Sequence, residues 1–283
     1  MEDEAGLACR LCSGPGPLRQ SHIVPKFAFD WLRTERGGLR DLATPNLLVQ
    51  DGVKPRLLCG ACEGLFGSWE RQVSERIFRP LHKGTASSFS YGPWLLKFAV
   101  SLSFRVLALH GQELIRLKDG PPVSSARRAS VARLGTASGL WAPFLKGDRD
   151  TLGPYEHFCF ALPLTHDQSP GSKRVGAYFD GELNIQPPIQ APDGGIYVVT
   201  KMCRLCIVGT AVRGRRDEWV NARIAARGGV VASPYAIPRW LASYFGSIMR
   251  VSEASVLSMS TRQKDLLLEK ARASGWVDPG SIH

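Results

Sequence analysis

The chain has 283 residues, 44% of them hydrophobic, and its 36 Lys and Arg against 25 Asp and Glu leave a formal net charge of +11. This is the composition of an ordinary globular protein, long enough at roughly 100–200 residues per domain for one large or two small domains, and it excludes collagen-like and disordered chains. The longest apolar run, Trp94 to His110, carries Lys97 and Arg105 and falls short of the ~20 apolar residues that cross a bilayer, so it is read as a buried helix and no membrane association is expected.

The chain opens Met1-Glu2-Asp3-Glu4, acidic where an export signal is basic and then apolar, which sets the expectation of a reducing cytoplasm. Four of the seven cysteines form two Cys-x-x-Cys pairs, Cys9/Cys12 and Cys59/Cys62. In a reducing compartment such pairs are read as zinc ligands before disulfides. Each pair closes a tight knuckle that aims two thiolates at one ion, and two knuckles complete a tetrahedral structural site. Ser13-Gly14-Pro15-Gly16 after the first pair and Gly60-Ala61 inside the second put small, turn-forming residues where the backbone must fold round the metal.

After Cys62, the apolar residues Leu65, Phe66, Trp69, Val73 and Ile77 recur at helical spacing, which predicts an amphipathic helix to about Arg79, stopped by Pro80. Glu63 stands at its start. Glu70 shares that face, but the intervening helix spans about 10.5 Å, too far to share one ion, so a surface or cap contact is expected of it. Residues 1–85 hold all of these motifs in a loop-rich context, and a boundary near Thr85-Ala86-Ser87-Ser88 separates them from residues 86–283.

Beyond the boundary the pattern predicts the helix from Trp94, a basic helix from about Ser124 to Leu134 and a short helix from Leu140 to Leu145. Strands are expected at Phe158–Leu164, Val175–Phe179, Ile196–Val208 and Val230–Val231, where β-branched and aromatic residues lie between Gly, Pro and Asp turns. Pro238 opens a helix through Trp240, Leu241 and Phe245, and Ser260-Thr261-Arg262-Gln263 is a capping box for a last helix ending near Gly275. A third pair, Cys203-Arg204-Leu205-Cys206, repeats the first tetrapeptide inside a β-rich run. An offset of three along a strand points side chains to opposite faces, so this pair and the lone Cys159 are read as core packing.

Residues 86–283 hold 24 basic and 15 acidic side chains, against 12 and 10 in residues 1–85. Arg127, Arg128 and Arg133 on one helix, and Arg213, Arg215 and Arg216 in a Gly-containing turn, are candidate phosphate contacts, the alternative being a solvated face.

Between the knuckles lie Ser21-His22-Ile23-Val24-Pro25 and Thr44-Pro45-Asn46-Leu47, and the last cysteine is followed by Glu63. Cys-x-x-Cys, His-Ile-x-Pro, Asn-Leu and Leu-Cys-x-x-Cys at a helix start, in that order over about residues 7–80, resemble the zinc-braced HNH endonucleases with a ββα-metal, treble-clef core, of the kind found in bacterial phage-defence proteins. The resemblance implies an α+β chain in which this zinc domain precedes a mixed helix and strand domain that recognises nucleic acid, docks a partner or restrains the nuclease. It implies that His22 is a general base, that Asn46 orients it, and that a catalytic Mg²⁺ or Mn²⁺ accompanies the structural zinc on Cys9, Cys12, Cys59 and Cys62. A neutral imidazole suits the base role.

Most members carry an acidic ligand before the histidine and a second histidine after the last cysteine, where this chain has Ser21 and Glu63. Glu63 is a hard oxygen ligand matched to Mg²⁺, which keeps several waters. Ser21 is a poorer substitute for an anion, and Asp30, Asp41 and Asp51 are the carboxylates nearby in sequence. His82, His110, His157 and His166 carry no motif and are read as structural, although His82 follows the helix closely enough to reach the site. The functional expectation is a phosphodiester hydrolase acting on nucleic acid, DNA before RNA, alone or within a defence complex. The alternative is a catalytically degenerate zinc module that docks on nucleic acid or a protein.

Overall fold

In the computed structural model, which describes residues 8–36, 39–40, 44–49, 51–116, 125–162, 180–214 and 219–273, strand β1 (Leu18–Gln20) is followed by helix α1 (Lys26–Arg36) and a short β2–β3 ladder (Leu39–Arg40, Leu48–Val49). Strand β4 (Arg56–Cys59) returns antiparallel to β1 and runs directly into helix α2 (Gly60–Val73). The helix does not stop at Pro80. A π-helical turn (Ser74–Phe78) carries it into α3 (Arg79–His82), where Pro80 sits in the first turn. A wide π turn and a helix first turn both tolerate a residue without an N–H, which is why the proline is accommodated.

Strand β5 (Phe89–Tyr91) leads into α4 (Trp94–Arg116), whose residues Phe98–Leu107 are buried without interruption, among them Ser101, Ser103 and Arg105. The two helices expected over 124–145 are one, α5 (Ser125–Lys146), with Pro143 inside it. Leu134, Ala137, Trp141, Phe144 and Leu145 form a single buried stripe on α5, and that continuous packing holds the helix together through the proline.

Five further strands build one antiparallel sheet in the order β6 (His157–Ala161), β10 (Leu205–Val212), β9 (Ile196–Met202), β7 (Leu183–Ile185), with β8 (Ile189–Gln190) also on β9. The single strand expected over 196–208 is therefore a hairpin that turns at Cys203 and Arg204. Its two strands are buried on both faces, which makes their sequence one apolar run and hides the turn from a pattern reading. One face carries Cys159, Val198, Met202 and Ile207 into the core shared with α4 and α5. The other carries Phe158, Phe160, Tyr197 and Cys206 against Leu241 and Phe245 of α6 (Arg239–Leu257). Close approach of α4 and β10 depends on Gly209, where a Cβ would lie 2.3 Å from the Ser103 hydroxyl.

Strand β11 (Gly229–Val231) pairs with β5, and α7 (Thr261–Ala273) starts where expected, with the Ser260 hydroxyl accepting from the Gln263 N–H at 3.4 Å. The architecture is α+β. One buried cluster runs from Leu11 and Ile23 through α2 and α4 to the sheet, so residues on both sides of 85 share a core. Val175–Phe179 and Gly275 lie outside the described residues. Among the described residues no helix is long and apolar enough to cross a membrane.

Candidate metal centre and adjoining histidine

The first knuckle is built from local backbone bonds: the Ser13 N–H donates to the Cys9 carbonyl at 2.8 Å and the Cys9 N–H to the Gly14 carbonyl at 3.0 Å. Ser13 takes a φ of 58° and Gly16 of 134°, the positive values a tight reversal needs. The Arg10 N–H reaches the Leu57 carbonyl at 2.9 Å and fastens the knuckle to β4. Cys59 ends β4 and caps α2, and Cys62 lies in the first helical turn.

All four sulfurs lie within 4.8 Å of one another, with Cys12 and Cys59 at 3.8 Å. A tetrahedral zinc with bonds near 2.3 Å separates its sulfurs by about 3.8 Å, so this cluster can hold a structural zinc ion. Burial pushes the Cys9 thiol up, but backbone bonds from Cys12, Cys59 and Leu11 outweigh it and bring it down to about 7. The backbone thus favours the thiolate that zinc needs. Burial, together with the neighbouring sulfurs, pushes Cys62 up, a penalty that a bound cation removes.

Ser21 and His22 follow β1 in extended backbone, pinned by Ser21 N–H to the Pro55 carbonyl at 2.9 Å and Ile23 N–H to the Val53 carbonyl at 3.2 Å. The Ser21 hydroxyl donates to Glu63 Oε2 at 2.7 Å, which joins this segment to the start of α2. His22 Nε2 lies 2.8 Å from Asp51 Oδ1. Asp51 also receives the Gly52 N–H at 3.0 Å and Lys54 Nζ at 2.8 Å. Partial burial pushes the Asp51 carboxyl up, yet the bonds from Lys54, His22 and Gly52 prevail and hold it down at about 2. An ionised Asp51 can only accept, so His22 Nε2 is the donor in this bond.

The backbone of His22 is held from below by Arg105 of α4. Its Nη1 donates to the His22 carbonyl at 2.7 Å and pairs with Glu70 Oε1 at 2.7 Å, while the side chain is 1% exposed. Glu70 therefore answers a buried guanidinium and is not a surface or cap residue.

Asn46 stands elsewhere. Its Oδ1 accepts the Ser260 N–H at 2.9 Å at the head of α7, and it is Asp51 that bonds the His22 ring. Asp51 was visible in the sequence as one of three nearby carboxylates, whereas nothing there assigned it to the histidine. Ser21 is the hydrogen-bond partner of Glu63, and among the described residues no second group of three or more His, Cys, Asp or Glu side chains converges as a metal site.

Arg213 lies exposed just after β10. Arg127 and Arg128 fall within α5, with side chains outside the description, and Arg215 and Arg216 lie outside the described residues altogether. Cys203 and Cys206 pack into the two separate buried clusters on either side of the sheet, but Cys203 lies in the hairpin turn and Cys206 on β10, so they do not share a strand.

His82 donates from Nδ1 to the Phe78 carbonyl at 2.7 Å and accepts the Arg204 N–H on Nε2 at 3.0 Å, which makes it a neutral bridge between α3 and the hairpin. His157 is fully buried 3.1 Å from the Ser103 hydroxyl, and burial holds it down at about 3. His166 lies outside the described residues. A buried lysine escaped the sequence reading: Lys201 Nζ donates to the Glu182 carbonyl at 3.0 Å, with burial pushing Lys201 down and Glu182 up. A single lysine in a strand carries no signal of its burial. Comparison with known protein families, curated proteins and solved structures finds no match.

Proposed function

We propose that this chain is a metal-dependent HNH-type endonuclease that hydrolyses phosphodiester bonds of nucleic acid, DNA before RNA. The observation that carries the reading is the His22–Asp51 pair standing one residue from the Ser21–Glu63 contact, at the head of the helix that begins between the two cysteines of the second knuckle. Asp51 keeps the Nε2 proton in place, so Nδ1 is free to take a proton from a water. That water attacks phosphorus in line, the bond from phosphorus to the leaving oxygen breaks, and the imidazolium is stabilised by the Asp51 carboxylate. Glu63, with one oxygen fixed by Ser21, is the residue that would hold Mg²⁺ or Mn²⁺, whose chemistry there is to neutralise charge on the phosphoryl and leaving oxygens. The four cysteines brace the strand and helix on which these groups are mounted. A place in a cytoplasmic phage-defence system, with or without a partner subunit, belongs to the same proposal and is supported by the resemblance alone.

A second reading is favoured by Asn46 facing Ser260 and by Glu63 belonging to no convergent group of three or more His, Cys, Asp or Glu among the described residues: a docking module without catalysis. Cleavage of plasmid, single-stranded DNA and RNA with Mg²⁺ or Mn²⁺ decides between them. His22→Ala is expected to lose cleavage by about 100-fold or more while zinc content and thermal unfolding stay unchanged. Equal cleavage by variant and parent refutes the nuclease, and zinc-loaded protein that cuts nothing under either metal leaves the docking module.

A further inference from the structure

Buried or half-buried carboxylates meet several of the arginines beyond residue 85. Arg105 meets Glu70 at 2.7 Å, Arg204 lies 3.8 Å from Asp180, and Arg223 meets Glu156 at 3.0 Å. Arg133 and Arg213 meet none among the described residues. These two, far apart in sequence, line one open cleft of about 300 Å³ between α5 and the end of β10. Its floor is apolar, Ala211 and Val212, and one wall is the ring of Tyr155. That ring is held edge-on to the fully buried Trp141 at 6.0 Å, so it is a fixed aromatic surface. The Thr136 hydroxyl at the rim donates to the Ala132 carbonyl at 3.1 Å, and the two guanidinium groups are the charged donors among the lining residues.

Two cations without a carboxylate partner among the described residues, beside an aromatic ring and an apolar lining, match a ligand with a phosphate at one end and a flat ring at the other. We propose that this cleft seats one nucleotide unit of a single strand, its phosphate on Arg133 and Arg213 and its base against Tyr155. This rests on the nucleic-acid reading above for the identity of the ligand.

The test is fluorescence anisotropy of a labelled single-stranded oligonucleotide over a salt series, with AMP as competitor, on the full chain. Arg133→Ala/Arg213→Ala is expected to bind at least about tenfold more weakly, with the slope of log K against log salt shallower by about 1.4, two contacts at ~0.7 each. Arg133→Lys/Arg213→Lys is expected to keep that slope. Both arginines are exposed, so thermal unfolding should not move. AMP that displaces the strand from the parent assigns the site to any nucleotide phosphate, and AMP without effect assigns it to a strand. Unchanged affinity and slope in the alanine variant, or no binding by the parent, overturns the proposal. Binding reads the cleft and cleavage reads the nuclease, so a failed cleft and a failed nuclease give different results.

Discussion

The tetrapeptide Cys-Arg-Leu-Cys occurs twice in this chain, at residues 9–12 and 203–206, and the two copies do different things. In the first, Arg10 points outward, and the following Ser13, Gly14 and Gly16 reverse the backbone so that Cys9 and Cys12 meet Cys59 and Cys62. In the second, the flanking β-branched runs form strands, Cys203 and Arg204 become the turn, and the two sulfurs part to opposite faces of the sheet. Arg204 is 6% exposed and donates to the carbonyls of Leu81 and Leu162, both at 2.9 Å. The second copy thus ties the sheet to the end of the helix that starts in the cysteine cluster. Spacing alone makes two thiolates available to one ion. A metal site also needs a second pair delivered from elsewhere in the fold.

The comparison breaks most visibly at the cysteines. Cys59→Ser or Cys62→Ser is expected to abolish zinc binding and unfold the N-terminal region, because structural zinc in small domains supplies on the order of 10 kcal/mol of folding free energy. Cys206→Ser should retain full zinc, measured by elemental analysis, and lower stability by only about 1–3 kcal/mol for a buried hydroxyl. Retained zinc in the first variants would refute the cluster's assignment.

Arginine sharpens the same contrast. Arg204→Met removes the donor to the buried Leu162 carbonyl, while the Leu81 carbonyl keeps the Gly84 N–H at 3.2 Å, and should cost about 2 kcal/mol in denaturant unfolding, whereas exposed Arg10→Met should stay within about 0.5 kcal/mol. Equal effects would mean that the hairpin is not anchored through this side chain.

The smallest effect expected is a pH dependence at the histidine beside the first region. Asp51 is lowered from 3.8 to about 2 on folding, so its contribution is fully present above the unfolded value and is lost as pH falls through about 2. Asp51→Asn should remove on the order of 1–2 kcal/mol at neutral pH and flatten the acid limb of the stability curve between about pH 4 and 2. An unchanged acid limb would show that Asp51 is not held by His22 and Lys54.

Much of the local structure was readable. The paired knuckles, the amphipathic pattern after Cys62, the buried run from Trp94, and the Pro238 and Ser260 helix starts all follow from relations within a few residues. The misreadings share a different cause. Pro80 reads as a stop and residues 135–139 as a break between two helices, yet packing of Ile77, Phe78 and Leu81 in one case and of Leu134, Ala137 and Trp141 in the other carries the helix on. The hairpin at Cys203 is hidden because both of its strands are buried on both faces.

By itself the sequence determined that four cysteines can bind one ion, where most helices begin, and that His22 is the residue to test. Only the tertiary structure decided that Asp51 and not Asn46 bonds His22, that Arg105 supports its backbone, and that Arg133 and Arg213 share a cleft. The reason is physical: periodicity and turn chemistry act within one or two turns of chain. Partners separated by tens of residues are chosen by which surfaces the buried core brings together.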